Sequence, residues 1–165
     1  MRKKQNNFLP YYNQYKDKIY NYFLYRVGFD KPLAEDLSSE VFIKALKSFA
    51  DFDENKKFQS WIYMIAHNHL VNHYKTAGRV IPIEPLENSL YYIDKSAEER
   101  HELARVLEII DAMENSESEI LRFRFIDQLS NSEIAEILGK EEGAIRTQIS
   151  RTLVKLREIL NSKTN

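Results

Sequence analysis

The sequence contains no cysteine among its 165 residues. That absence excludes disulfide bonds, thiolate metal sites and cysteine nucleophiles. No stretch approaches the roughly 18 consecutive apolar residues that a membrane-spanning helix needs, and no apolar run follows the polar N-terminal segment. Glycine-rich phosphate loops are also missing. We therefore expect a soluble, cytoplasmic protein with no membrane insertion, no cofactor and no bound metal.

Alternation of polar and apolar residues, the pattern of a half-buried strand, is absent as well. Nearly every segment instead has the helical period. We expect an all-α fold of two small helical bundles, at residues 8–76 and 101–163. Residues 77–100 contain one glycine and two prolines and lose the helical period, which predicts a flexible linker between the bundles.

Charge of either sign is nearly balanced over the whole chain, since the net charge is −1. It is unevenly distributed, however. Residues 1–76 carry 12 basic and 8 acidic groups, whereas residues 84–119 carry 3 basic and 11 acidic groups. Basic ends separated by an acidic middle would suit two contacts with a polyanion, although charge runs are usually only solvated faces.

Residues 129–151 have the pattern of a helix-turn-helix. Ser130 and Glu133 have capping-box spacing, and Gly139 can end the short helix that they begin. A second helix is predicted from about Glu142, with isoleucines and leucines on one side and a polar, arginine-flanked side opposite. A recognition helix needs this layout, because its first turns enter the major groove while nearby cations contact phosphates. The spacing alone is equally compatible with an ordinary helical hairpin that has a solvated basic face.

The third helix of the N-terminal bundle, predicted from Phe58 to Lys75, has two distinct sides. Its core side carries apolar residues together with His69 and His73. The residues of its second face are Trp61, Met64, Asn68, Asn72 and Lys75. Exposed aromatic rings stack on unpaired bases, amides contact base edges and lysine holds phosphate. The alternative is that Trp61 simply packs against a neighbouring helix.

Two further expectations concern single apolar side chains. In the second predicted helix, Leu46 belongs to an apolar stripe with Phe42 and Phe49, and we expect it in the core. In a helix predicted over residues 116–125, we expect Phe125 to point inward.

Taken in order, these segments resemble a compact bacterial RNA polymerase sigma factor of the extracytoplasmic-function group (group 4). The similarity covers about residues 8–163 and rests on three motifs. Residues 34–42, Ala-Glu-Asp-Leu-Ser-Ser-Glu-Val-Phe, resemble the segment that binds the clamp helices of the polymerase β′ subunit. Residues 58–68 resemble the Phe-x-x-Trp-Leu-x-x-Ile-Ala-Arg-Asn segment that binds the minus-ten element. Residues 129–151 resemble the reader of the minus-thirty-five element.

The resemblance implies a protein that is not an enzyme and that lends promoter specificity to RNA polymerase. It would recognise the minus-thirty-five duplex and melt the minus-ten element. The residues implied at the minus-thirty-five element are Ala144, Arg146, Thr147, Gln148, Ser150, Arg151 and Lys155. Those implied at the minus-ten element are Lys56, Lys57, Phe58, Ser60, Trp61, Met64, His67, Asn68, Asn72 and Lys75. Those implied to contact polymerase are Glu35, Asp36, Leu37, Ser39, Glu40, Phe42 and Lys44.

The implied partners are core RNA polymerase, through its β′ clamp helices and β flap, promoter DNA and an anti-sigma factor. The free protein is expected to be a monomer. Several residues of the motifs differ from those usual in the family. They are Ser39, His67, Asn72, Lys75, Glu141 and Gln148.

Two other classes of function compete with this interpretation. A stand-alone helix-turn-helix regulator would use the same C-terminal half, but it leaves the face from Trp61 to Lys75 unexplained and would normally dimerise. A metal-dependent enzyme is suggested by His67, His69 and His73, two of which are four residues apart. The residues between them lack the glutamate of a zinc-protease helix, and no carboxylate nearby completes a site.

Overall fold

The computed structural model describes residues 7–77 and 95–164, and the chain divides into two compact units, Met1–Ile83 and Glu84–Asn165. Within the described ranges there are seven α-helices and no strands, which confirms the predicted all-α fold with two helical units. In those same ranges, none of the helices combines the length and hydropathy that crossing a bilayer demands. Most of the predicted linker, residues 78–94, lies outside the described residues.

Three helices build the first unit. They are α1 (Phe8–Leu24), α2 (Lys31–Ser48) and α3 (Phe58–Ala77), and a 3-10 turn follows α2 at Phe49–Asp51. The start of α2 follows from its sequence. The carboxylate of Asp30 accepts a hydrogen bond from the amide of Leu33 at 3.1 Å, and a proline occupies the first turn, where its missing N–H costs nothing.

The core of the first unit lies where the apolar sides of its helices meet. Its fully buried residues include Ile19, Tyr22, Phe23, Val41, Ala45, Ile62, Tyr63 and Ala66. At the end of α2, the rings of Phe49, Phe52 and Phe58 meet with centroid distances of 5.9 and 5.6 Å, closing the connection to α3. The prediction that Leu46 lies in this core is wrong, since its side chain is 42% exposed. Val41 and Ala45 fill the buried side of α2, and Leu46 lies about 100° around the helix from Ala45.

The second unit contains four helices. They are α4 (Ala97–Asp111), α5 (Asn115–Leu121), α6 (Asn131–Leu138) and α7 (Glu142–Thr164). Helix α4 begins within the last part of the predicted linker, because Ser96 and Glu99 form a capping box there. The Ser96 hydroxyl accepts from the Glu99 amide at 3.2 Å, and the Glu99 carboxylate accepts from the Ser96 amide at 2.9 Å.

After α5 the chain continues as a π-helical segment, Arg122–Ile126. The Asp127 amide donates to the carbonyl oxygen of Arg122 at 2.9 Å, an i to i+5 bond that widens the turn. The extra residue shifts the helical register, so Phe123 is fully buried and Phe125 is 49% exposed. The prediction that Phe125 points inward is therefore wrong. The buried guanidinium of Arg122 pairs with Asp111 of α4 and ties this segment to the unit.

Candidate nucleic-acid and protein interfaces

The predicted helix-turn-helix is present as α6 and α7. The Ser130 hydroxyl accepts a hydrogen bond from the Glu133 amide at 3.2 Å, and the Glu133 carboxylate accepts one from the Ser130 amide at 2.8 Å. Gly139 ends α6 in the left-handed region with φ 62°, where a side chain would be strained. Helix α7 then turns Ile145 and Ile149 into the core. Its opposite side therefore faces outward.

All seven residues implied at the minus-thirty-five element lie on α7. Gln148 is half-buried. The exposed ones are Ala144, Arg146, Thr147, Ser150, Arg151 and Lys155. The outward side of α7 is thus polar and cationic over its first turns, as a groove-binding helix requires.

Four of these seven side chains make contacts within the unit, those of Arg146, Thr147, Gln148 and Lys155. The Arg146 guanidinium lies 3.1 Å from the Glu142 carboxylate, and both side chains are at least half exposed. The Lys140 ammonium donates to the side-chain oxygen of Gln148 at 3.4 Å. Exposed pairs one helical turn apart contribute only about 0.3–0.5 kcal/mol. A phosphate or a base edge can therefore replace Glu142 as the partner of Arg146 at little cost.

A concavity with a volume of about 560 Å³ runs along this part of α7. The residues that line it are Glu117, Gly143, Ala144, Thr147, Gln148, Arg151, Thr152 and Lys155. We call this the α7 concavity. Five of its members were predicted, whereas Glu117 of α5 was missed. Glu117 pairs with Lys155, which is 38 positions further along the chain, so no local pattern could have revealed it.

The residues implied at the minus-ten element fall into three groups by exposure. The exposed ones are Lys56, Lys57, Asn68, Asn72 and Lys75. The half-buried ones are Trp61, Met64 and His67. Phe58 and Ser60 are buried in the core of the first unit, and DNA contact through them stays a prediction. The Phe58 ring stacks on the Tyr11 ring of α1, with ring centroids 4.2 Å apart.

Trp61 lies between the core and the outward face of α3. Its ring contacts Phe52 and Phe58, with centroid distances of 4.8 and 5.4 Å. The side chain is nevertheless only half-buried. Packing against neighbours therefore accounts for part of the ring, and the remainder is accessible to a ligand. Farther along the same helix, Asn68 and Asn72 are exposed.

The residues implied to contact polymerase lie on α2. The exposed ones are Glu35, Asp36, Ser39, Glu40 and Lys44. Leu37 and Phe42 are buried, and Phe42 meets Tyr12 of α1 with ring centroids 4.9 Å apart. Both side chains lie on the apolar side of α2, and their contact with polymerase stays a prediction.

Sequence reasoning missed four exposed apolar residues on α1 and α2. Ile43 and Leu46 of α2 are 53% and 42% exposed, and Leu9 and Tyr12 of α1 are 60% and 39% exposed. We call these four residues the α1–α2 apolar patch. A signal for part of it was present, since Ile43 and Leu46 are three residues apart and follow the acidic residues on the same helix.

Glu40 and Lys44 both approach His69 of α3. The Lys44 ammonium lies 2.7 Å from Nδ1 of His69, and a carboxylate oxygen of Glu40 lies 2.8 Å from Nε2. Burial, followed by the nearby Lys44 charge, lowers the pKa of His69. A neutral ring can accept from the ammonium at Nδ1, and its Nε2 lies near the carboxylate without a directed hydrogen bond. This arrangement connects α2 to α3.

The described residues contain no group of three histidine, aspartate or glutamate side chains that could hold a metal ion. Both ring nitrogens of His69 already face Lys44 and Glu40. The described residues therefore provide no three-ligand site around the pair of histidines four residues apart.

The sequence matches two family models, Sigma-70 region 2 over residues 11–80 and Sigma-70 region 4 over residues 103–156. It is 31% identical to the ECF RNA polymerase sigma factor SigW of Bacillus subtilis, over 94% of this chain and 90% of that protein. It is 34% identical to the ECF RNA polymerase sigma factor BldN of Streptomyces coelicolor, over 88% of this chain. The match spans only 58% of the length of BldN.

Two solved structures share the fold. One is CnrH in complex with the cytosolic domain of CnrY, with a TM-score of 0.70 and 21% identity over 96% of this chain and 90% of that one. The other is the sigma factor RpoE in complex with the anti-sigma factor NepR from Bartonella quintana. Its TM-score is 0.70 and its identity 16%, over 94% of this chain and 97% of that one.

Proposed function

Since the chain belongs to the extracytoplasmic-function group of RNA polymerase sigma factors, we propose that it acts through three separate surfaces. It binds core polymerase and directs promoter-specific initiation, and it has no catalytic activity of its own. One observation carries the proposal. The region 2 match falls in the first helical unit and the region 4 match in the second. A stand-alone regulator would need only the second.

The minus-thirty-five element is assigned to the outward side of α7. Its first turns expose Arg146, Thr147 and Arg151, and the capped α6 supports the helix from behind. Arginine can contact a guanine edge with two hydrogen bonds or hold a phosphate. Contacts with base edges would supply sequence preference, and contacts with phosphates would fix the register of the protein on the duplex.

The minus-ten element is assigned to the outward face of α3 and the loop before it. Pulling a base out of its stack costs a few kcal/mol. Stacking on an aromatic ring returns about 1–3 kcal/mol per base, and Trp61 has part of its ring accessible for this. Asn68 and Asn72 are placed to contact base edges, while Lys56 and Lys57 suit the strand backbone. The balance favours capture of a strand that polymerase has already begun to open.

The polymerase contact is assigned to the exposed acidic face of α2 together with the α1–α2 apolar patch. Asp36 and Ser39 supply polar contacts, and the patch supplies apolar area that would otherwise face water. Charged contacts steer and orient a partner, whereas buried apolar area contributes most of the affinity. An acidic face together with an apolar patch therefore suits a basic helical surface on the partner.

An anti-sigma factor is proposed as a further partner. CnrH and RpoE, which share this fold, were both solved in complexes, CnrH with CnrY and RpoE with the anti-sigma factor NepR. A protein of that class would act by covering the DNA-binding and polymerase-binding surfaces of this chain. Co-purification from the native host, followed by loss of promoter-directed transcription on adding the captured protein, would test this assignment.

The proposal is tested by mixing the purified chain with core polymerase and genomic DNA and sequencing the 5′ ends of the transcripts. We expect defined starts that core polymerase alone does not produce, preceded by two shared sequence elements. Absence of new starts, together with DNA binding as a dimer, would instead indicate a stand-alone regulator.

A matched pair of variants tests the polymerase surface. Asp36→Asn removes one exposed charge from α2, and Asp17→Asn removes one exposed charge from α1. We expect Asp36→Asn to reduce co-elution with core polymerase and Asp17→Asn to leave it unchanged. Equal retention of both variants would remove Asp36 from the interface.

A further inference from the structure

The α7 concavity contains a single carboxylate among its lining residues, that of Glu117. Its polar neighbours include Gln148, Arg151 and Lys155, all of which are assigned to upstream DNA. Glu117 belongs to α5 and pairs across the unit with Lys155 of α7. The Glu117 side chain is 13% exposed and that of Lys155 is 54% exposed. The acid is therefore held by its surroundings, whereas the base can move outward.

While the Lys155 ammonium is paired with Glu117, it attracts phosphate only weakly, because the pair has no net charge. The hydrogen bond to Glu117 is the main reason that the pKa of Lys155 is raised, and nearby Glu114 adds to it. Lys155 is therefore charged at neutral pH, and the pair is ionic. When DNA fills the concavity, Lys155 must either exchange its partner for a phosphate or leave the Glu117 carboxylate close to the backbone.

Glu117 also has a structural role that is independent of its pairing with Lys155. It lies in the first turn of α5, where a carboxylate interacts favourably with the helix N-terminus. Loss of that interaction would lower the stability of the unit. It would not change how many phosphates the protein neutralises, which is the quantity that sets the salt dependence of DNA binding.

We propose that Glu117 is an internal counter-charge that weakens binding of α7 to upstream DNA by holding Lys155 away from phosphate. The inference rests on the proposed function, because it requires α7 to face the duplex. Its consequence is selectivity for complete promoters. Lys155 gains a phosphate only when other contacts already hold the DNA in the concavity, so isolated upstream-like sequences are bound less well.

The test uses the full chain bound to core polymerase and a labelled duplex with the upstream element of a promoter mapped by 5′-end sequencing. Glu117→Gln removes the charge and keeps the shape. Glu108→Gln makes the same charge change on an exposed position of α4, outside the concavity. Glu117→Asp keeps the charge, and Glu117→Ala serves if the glutamine variant does not fold. Thermal melting and co-elution with core polymerase establish that each variant is intact.

We expect Glu117→Gln to bind the duplex several-fold more tightly at low salt. One additional neutralised phosphate steepens the slope of log K against log salt by about 0.9. The advantage over the native chain should therefore shrink roughly 3- to 4-fold between about 50 and 200 mM salt. Glu108→Gln and Glu117→Asp should keep the native slope.

Unchanged affinity and slope in both Glu117→Gln and Glu117→Ala would overturn the proposal. Weaker binding with an unchanged slope would also overturn it, since that result means Glu117 only supports the fold. Arg151→Ala distinguishes this failure from failure of the proposed function. If Arg151→Ala weakens binding while the Glu117 variants do nothing, only the counter-charge is lost; if Arg151→Ala also has no effect, α7 does not face the DNA.

Discussion

Replacing Arg146 with alanine should weaken binding to the minus-thirty-five duplex by about 2- to 100-fold, and chiefly on the preferred sequence. The Arg146–Glu142 pair, 3.1 Å apart with side chains 68% and 50% exposed, contributes only about 0.3–0.5 kcal/mol in the free protein. A two-hydrogen-bond contact with guanine is worth about 1–3 kcal/mol. The difference, about 0.5–2.7 kcal/mol, gives the stated range at about 1.4 kcal/mol per factor of ten.

The assay measures equilibrium binding of the polymerase complex to duplexes that carry the mapped upstream element or each of its single-base changes. Arg157→Ala is the matched control, because it removes the same charge from an exposed position of the same helix outside the α7 concavity. Arg146→Ala should lose its preference at one base, whereas Arg157→Ala should keep the native preference. Co-elution with core polymerase should be the same for both.

Two results would refute this reasoning. If Arg146→Ala weakened every duplex equally and reduced the salt slope by about 0.9, the side chain would hold a phosphate and not a base. If both variants lost the same affinity on all sequences, the first turns of α7 would not be the surface that reads DNA.

Three further predictions follow from the described contacts. Trp61→Ala should lower permanganate reactivity of unpaired promoter thymines about tenfold while duplex recruitment changes little, since one stacked base is worth about 1–3 kcal/mol; normal opening would remove Trp61 from the site. Ser130→Ala should speed hydrogen exchange of α6 amides about fivefold, because an N-cap is worth about 1 kcal/mol. It should also weaken binding to the upstream duplex. As a control, Ser96→Ala should speed hydrogen exchange of α4 amides without changing the affinity for DNA. Burial, then Lys44, lowers the pKa of His69, so the unfolding free energy of the first unit should fall as pH drops below about 6.5. His69→Gln should flatten that fall in urea titrations at several pH values, and an unchanged pH dependence would contradict it.

Local features of this fold were predictable because both partners lie close together in the sequence. The capping box of Ser130 and Glu133 needs only three-residue spacing, and Asp30 caps α2 for the same reason. Gly139 ends α6 because only the backbone at that position decides the left-handed turn. The helical period likewise placed Ile145 and Ile149 in the core.

Features that depend on tertiary packing were not predictable. The π-helical segment shifts the register after α5, so the ordinary helical period assigned Phe125 to the core where Phe123 belongs. A motif includes both the residues that hold a helix in place and those that contact a partner. Leu37 and Phe58 were therefore grouped with contact residues although they are buried.

Two cations of the proposed minus-thirty-five surface are paired with carboxylates, which bears on how the protein selects promoters. Arg146 pairs with Glu142 and Lys155 with Glu117 inside the second unit, and the net charge of the chain is −1. Such internal pairing lowers the affinity of the second unit for any polyanion. Binding two weak sites at once restores affinity, because the second contact occurs at an effective concentration of the order of 1 mM. A unit with a dissociation constant of about 0.1 mM would then still contribute about tenfold. Weak separate contacts that add up only on a complete promoter, with polymerase holding both units, therefore favour specificity over general DNA binding.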